Sequence, residues 1–302
     1  MERKKGNAIF FALLAAGFYA INMPCSKVLL RTVAPTMMAG FLYLGAGAGM
    51  GILFLANLRQ PKRSDFLSQS DLPYVVAMVG LDILAPIFLM YGLKSTSSAS
   101  ASLLNNFEIV ATSLIALVVF HEAVSKRLWI AITLVTLSSM ILSFEDLSSL
   151  QFSWGSLLVL LAALCWGFEN NCTRRISSKN TYEIVTIKGI GSGGSSLLIG
   201  LALGERAPAW KLVFLVLLLG FVAYGLSIFF YIKAQKELGA AKTSAYYAVT
   251  PFVGTFLSLA ILKEPYSLQF FIGLALMLVG SVFVTLDTLQ IPSVKAGQKA
   301  NR

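Results

Sequence analysis

Ten long apolar runs fill this sequence, and they leave the backbone very little choice of fold. They lie near residues 7–30, 34–57, 73–93, 97–120, 127–144, 153–173, 184–203, 211–232, 240–262 and 267–286. Most are about 20 residues long, enough to cross ~30 Å of hydrocarbon at 1.5 Å per residue. Inside a bilayer no water can satisfy a free N–H or C=O, so each run has to close its own hydrogen bonds as a helix. The composition agrees: 57% of residues are hydrophobic, 13% are charged and the mean hydropathy is +0.76. A soluble domain would carry about 25% charged residues. The expected fold is an all-α integral membrane protein of ten transmembrane helices.

The basic residues set the expected orientation. A net charge of +10 raises the question of nucleic acid, but the lysines and arginines come as short clusters between apolar runs, with no basic stripe interleaved with aromatics. No nucleic-acid partner is expected; the partners are a lipid bilayer and a small-molecule substrate. With the N-terminus in the cytoplasm, seventeen Lys and Arg fall on the inside, from Arg3, Lys4 and Lys5 to Lys295, Lys299 and Arg302. Five fall outside: Arg31, Lys94, Arg206, Lys211 and Lys263. That bias puts both termini in the cytoplasm of a multi-pass protein, expected in a prokaryotic inner membrane. The MERKK start leads into a stretch running to about Leu30 without a small-x-small cleavage site, so it reads as a retained first span. Asn57–Leu72 reads as the longest polar loop.

The sequence also repeats itself. Leu14–Lys27 aligns without a gap onto Leu161–Arg174 at an offset of 147, pairing Tyr19 with Trp166, Asn22 with Glu169, Cys25 with Cys172 and Lys27 with Arg174. A second echo pairs Ser113–Ser125 with Thr255–Ser267 at an offset of 142, and Glu122 with Glu264. Each half holds five spans, an odd number, so the second half must cross in the opposite sense: an inverted repeat. The expected divisions are 1–146, 147–290 and a disordered cytoplasmic tail at 291–302.

These features resemble the drug/metabolite transporter superfamily in its EamA-type branch. The likeness rests on Tyr91–Ala101 (YGLKSTSSASA) leading to Phe120-His121-Glu122. In the second half it rests on Ala234–Ala241 (AQKELGAA) leading to Tyr246–Pro251 (YYAVTP) and Leu262-Lys263-Glu264-Pro265. It covers about residues 7–287. One departure stands out: the second half has Pro251 in the fourth span of the half, whereas the first half has Ile109 there, preceded by Glu108. The resemblance implies movement of small organic solutes, often outward, by alternating access. It leaves the cargo open among amino acids, amines, drugs, sugars and nucleotide sugars.

Ionisable residues at membrane depth are the strongest local signal. Of 14 acidic residues, Asp82, Glu108 and Glu169 sit well inside spans. Each costs roughly 2.5–3.5 kcal/mol at the bilayer centre, so each should face a cavity or a partner. Glu108 shares a helical face with Asn105 and Thr112 at spacings of three and four. Asp82 precedes Pro86 by four residues, where the missing donor can kink a helix. Lys188 is the candidate counter-ion, or else snorkels to an interface. Tyr19, Trp166, Tyr224, Tyr246 and Tyr247, with Asn22, Asn105, Asn106, Asn170 and Asn171, could supply the placed polar groups of a mostly apolar pocket. The candidate binding or coupling residues are therefore Glu108, Glu169, Asp82, Asn22, Asn105, Tyr19, Trp166, Tyr224, Tyr246, Tyr247 and Lys188.

Other signals point to packing. Gly45/Gly49 and Gly47/Gly51 in the second span, and Gly189–Gly200 in the seventh, make small-residue faces on which helices can approach closely. Cys25, Cys165 and Cys172 lack metal or disulfide spacing, and His121 has no second ligand near it. The glycines of Gly189–Gly194 lack the Lys-Ser/Thr of a phosphate loop. No cofactor and no metal is expected, and without ATPase machinery any uphill transport draws on a gradient. The reading is a non-enzymatic secondary transporter, an exporter of amino acids or related metabolites that is proton-coupled if an intramembrane carboxylate titrates. It would be complete as a monomer, with a homodimer also open. The alternatives are a facilitative sugar, nucleotide-sugar or drug carrier of the same fold, or a polytopic enzyme acting on lipid. An enzyme would need a nucleophile and base gathered at one interface.

Overall fold

A computed structural model of the chain describes residues 2–56, 66–120, 125–146, 151–238, 243, 246–263 and 266–290. His121, Glu122, Glu264, Pro265, the tail from 291 and parts of the 57–72 and 234–241 segments lie outside the described residues. The first span is α1 (Glu2–Ala20) and α2 (Asn22–Leu29), the second α3 (Pro35–Ala56) and the third α4 (Leu72–Ser95). The fourth is α5 (Ser98–Leu104) with α6 (Phe107–Phe120), the fifth α7 (Lys126–Ser143), the sixth α8 (Trp154–Ile176) and the seventh α9 (Thr181–Ala202). The eighth joins α10 (Trp210–Gly220) to α11 (Ser227–Leu238) through a π-helical stretch, Phe221–Leu226. The ninth ends in α12 (Thr250–Leu262), and the tenth is α13 (Leu268–Gln290). Among the described residues, eight of these spans are long and apolar enough to cross a membrane. The exceptions are the fourth, which is interrupted, and the ninth. The all-helical expectation needs one small addition, an antiparallel pairing of Phe144–Asp146 with Gln151–Phe152 between the halves.

The molecule is apolar on its outside, and its largely apolar interior also holds polar groups. Ile52, Val118, Leu198 and Phe256 are each about two-thirds exposed, while Asp82, Asn22 and Glu169 are buried. That arrangement suits a lipid solvent, where apolar surface needs no hiding and buried charge must find partners. Trp154 and Trp210, both largely exposed, stand at the first residues of the sixth and eighth spans, where an aromatic belt belongs.

Helix pairing shows the inversion directly. The second span packs on the seventh, the fourth on the ninth and the fifth on the tenth, so each partner is the repeat counterpart. All three pairs run in opposite senses. Gly40 meets Leu197 while Gly47 meets Gly189 and Gly51 meets Thr186. Ser98 faces Ser258 while Thr255 reaches Ala99. Gly273 lies on Leu142 while Gly280 lies on Val135. A helix that packs against its own counterpart head to tail requires inverted halves, related by an axis in the membrane plane. The pairings of third with sixth span and eighth with first obey the same symmetry.

The two glycine faces of the second span serve different neighbours. Gly47 and Gly51 meet the seventh span, whereas Gly45 and Gly49 meet Leu217 and Phe221 of the eighth. Close backbone approach is what holds these helices, since lipid gives them no hydrophobic reason to associate.

A carboxylate from the second half caps a helix of the first. Glu205 Oε2 accepts from Met37 N at 2.9 Å, and its Oε1 accepts from Thr36 N at 3.3 Å, Thr36 Oγ1 at 3.0 Å and Tyr91 OH at 3.0 Å. It satisfies free N–H groups of the first turn of the second span and lies at the positive end of that helix. Glu205→Ala should lower stability by about 0.5–2 kcal/mol, the range for a lost N-cap, read as a lower thermal midpoint in detergent. An unchanged midpoint would show that water replaces the carboxylate without loss.

Candidate functional site

Chain breaks concentrate at mid-depth. Pro24 has no N–H to offer the Ala20 carbonyl four residues back, and the first span breaks at Ile21 between the two. In the ninth span Pro251 likewise deprives Tyr247 O of its donor, and Thr250 Oγ1 replaces it at 2.6 Å beside the turn at Ala248–Val249. The fourth span breaks at the corresponding place without a proline, at Asn105–Asn106. Asparagine competes for backbone hydrogen bonds and favours such ends. The shared helical face expected for Asn105, Glu108 and Thr112 is therefore interrupted: Asn105 ends one helix, and Glu108 begins the next.

Around these breaks the buried polar residues converge. Lys188 Nζ stands 3.0 Å from Asp82 Oδ2 and 2.9 Å from Glu169 Oε1, joining the third, sixth and seventh spans. Asp82 Oδ1 accepts from Tyr43 OH at 2.8 Å and from Trp166 Nε1 at 3.2 Å. Asp82 Oδ2 takes no hydrogen bond of good geometry, so the ammonium charge alone compensates it. Thr173 donates to Glu169. Lys188 is buried and fully engaged, which rules out snorkelling.

Glu108 stands apart from the lysine. Asn170 Nδ2 donates to its Oε1 at 2.5 Å, and among the described residues no basic group forms an ion pair with it. Asn170 is the neighbour of Glu169 on the sixth span, so all three carboxylates belong to one cluster with a single ammonium.

The aromatics form a wall. Tyr19 contacts Trp166, Tyr224 and Tyr247 at ring-centroid distances of 6.5, 5.5 and 6.3 Å, and Tyr43 lies 5.1 Å from Tyr224. Asn22 Nδ2 donates to Tyr224 OH at 3.1 Å, and Asn22 Oδ1 accepts from Ser26 Oγ at 2.9 Å. Tyr224 sits in the π-helical stretch, a distortion that recurs at functional sites. The repeat partners Asn22 and Glu169 thus do face one centre, from the first and sixth spans.

Several expected residues are placed elsewhere. Tyr246 shares none of these ring contacts or hydrogen bonds. Asn106 Nδ2 donates to Ser281 Oγ at 2.8 Å, tying the fourth span to the tenth, and Asn171 bonds back to Gly167 O at 2.8 Å. Tyr43, Ser102 and Thr250 were missed. Tyr43 left a signal: it is the one polar side chain in the stretch Gly40–Ala56 of the second span.

The profile of the EamA-like transporter family matches residues 6–144 and again residues 153–286. The chain belongs to the EamA-like transporter family. Two relatives agree with that membership. An uncharacterized transporter of Methanothermobacter thermautotrophicus is 26% identical over 295 residues, covering 90% of this chain and 84% of the relative. The uncharacterized transporter YyaM of Bacillus subtilis is 21% identical over 299 residues, covering 94% of each. A protein of known crystal structure superposes with a TM-score of 0.67 at 18% identity, covering 95% of this chain and 99% of the other, which bears on fold alone. This EamA-family chain is a multi-pass membrane transporter, and its polar cluster lies where the two repeats meet.

Proposed function

We propose that this transporter is a proton-coupled exporter of amino acids or related small metabolites, working by alternating access about the cluster of Asp82, Glu108, Glu169 and Lys188. One observation carries the reading: Lys188 pairs with the buried carboxylates of Asp82 and Glu169, and the half-buried Glu108 beside them is held by Asn170 instead. A carboxyl group there holds either a proton or a cationic group of the cargo, and that exclusivity is what exchange requires. Tyr19, Trp166, Tyr224 and Tyr247 supply an aromatic face on which an ammonium and an apolar side chain can both rest.

The closed centre fits one stage of such a cycle. A cavity of about 270 Å³ lies at the end of the bundle where the third span finishes and the fourth, sixth and tenth begin. It is lined by Thr96, Ser97, Ser100, Ser153, Ser156 and Gln269 among others. Between it and the aromatic wall, Ser98 Oγ and Ser258 Oγ meet at 2.8 Å and hold the fourth span against the ninth. Parting these two spans would join the cavity to the centre. With both termini in the cytoplasm, as the charge bias favours, that end faces outward from a cell membrane. The functional halves are residues 1–146 and 147–290.

In proteoliposomes carrying a labelled amino-acid and amine panel, the protein should move one cargo faster when a pH gradient is imposed. Glu108→Gln should abolish the gradient-driven component while the protein elutes as a single folded species. Gradient-driven flux that survives in Glu108→Gln removes the proton role, and a cargo drawn only from sugars or nucleotides removes the amino-acid assignment.

A further inference from the structure

A second, smaller cavity of about 10 Å³ lies between the first, fourth and ninth spans, bordered by Tyr19, Ala20, Met23, Ser102, Asn105 and Thr250. That is about the room one water-sized sphere occupies. Two side-chain oxygens in its wall are unmatched. Ser102 Oγ and Asn105 Oδ1 are buried, with the residues 2% and 7% exposed, and neither atom has a hydrogen-bond partner. A third oxygen lies close by. A methyl group on Gly254 would stand 3.0 Å from Ser102 Oγ and 3.4 Å from Ala20 O, the carbonyl that Pro24 deprives of a helical donor. All three groups present oxygen, and the two spans that carry them, like the ninth span that closes the cavity, are interrupted next to it.

We propose that this cavity binds a sodium ion through the Ala20 carbonyl, the Ser102 hydroxyl and the Asn105 amide oxygen. Interrupted helices inside a membrane offer backbone and side-chain oxygens to such ions. The donor set also selects the ion. Calcium and magnesium are held mainly by carboxylates, and zinc or copper by nitrogen and sulfur, so neutral oxygens around a water-sized space suit a small monovalent cation. The ion's charge has a counterpart: Glu108, whose N–H donates to Asn105 O at 3.1 Å, forms no ion pair with a basic group among the described residues. Sequence spacing could not expose this site, because neutral oxygens drawn from two distant spans follow no motif.

The test needs no cargo and is therefore independent of the proposed exchange. The purified full chain is melted in detergent in sodium chloride and in choline chloride at equal ionic strength. The midpoint should rise saturably with sodium and stay flat in choline. Ser102→Ala should weaken the apparent sodium affinity roughly tenfold or more, the loss expected when one direct ligand is removed. Gly254→Ala, whose methyl enters the space, should abolish the shift, and both variants should melt in choline as the parent does. If Gly254→Ala fails to fold, Ser102→Ala decides alone. Equal midpoints in the two salts would mean that the cavity holds an ordered water only, and a sodium shift unchanged in Ser102→Ala would place the ion elsewhere. Either result overturns the site and leaves the Glu108 experiment standing.

Discussion

Lys188→Ala should destabilise the protein by roughly 3–5 kcal/mol, the range measured when one partner of a buried ion pair is removed. The size follows from the geometry. One ammonium lies 3.0 Å from Asp82 and 2.9 Å from Glu169, in a region with almost no solvent to take its place. Glu169 keeps a donor in Thr173, and Asp82 Oδ1 keeps Tyr43 and Trp166, but Asp82 Oδ2 loses its only compensation. The measurement is the thermal midpoint and monodispersity of the purified variant in detergent. A companion variant separates charge from packing. Asp82→Asn, Glu169→Gln and Lys188→Met together remove the charges but keep the volume, and should recover most of the loss because the desolvation penalty goes with the ions. If the single variant melts like the parent, the cluster is not held by its charge. If the triple variant melts like the single one, the loss comes from packing.

Gly189→Ala should be the most damaging single methyl in the seventh span, and Gly194→Ala, five residues on, should be harmless. A Cβ at 189 would stand 2.3 Å from Gly47 N, 2.4 Å from Gly47 Cα and 2.6 Å from Tyr43 O. These are backbone atoms of a facing helix, so no side chain can swing aside and the two spans must move apart. Overpacking of this kind typically costs about 1–3 kcal/mol, and more where the backbone cannot yield. The shift would also carry Lys188, the preceding residue, away from Asp82, so transport should fall further than stability alone accounts for. At Gly194 an added Cβ meets nothing within 4 Å. There the helix gains from losing a flexible glycine, by about 0.5–1 kcal/mol. Parallel expression and melting of the two variants decides the point, and equal behaviour would mean that the second and seventh spans are not in backbone contact.

Legibility in the sequence varied by residue for physical reasons. Lys188 and the three acids were visible because a charge in a long apolar run is expensive and needs an explanation. Their pairing was not visible, since the third, sixth and seventh spans meet only after folding. Glu108 stood out in the sequence partly for a helical face that the Asn105–Asn106 break removes. No proline marks the fourth span at Ile109, yet that span breaks at Asn105–Asn106, because asparagine ends a helix by offering its own hydrogen bonds. Tyr246 and Tyr247 are neighbours in the sequence, and only the folded structure shows that Tyr247 meets Tyr19.

The sequence by itself determined that the backbone would cross a membrane as ten helices in two inverted halves, because run length, charge bias and internal repetition are all one-dimensional properties. It also determined that polar groups would be buried. Which groups meet was decided only by the tertiary structure. Glycines at 47 and 189 bring two backbones into contact and so carry Lys188 to Asp82. The interrupted first and fourth spans turn Ala20, Ser102 and Asn105 towards one small cavity, a convergence that depends on where helices stop and how closely they pack.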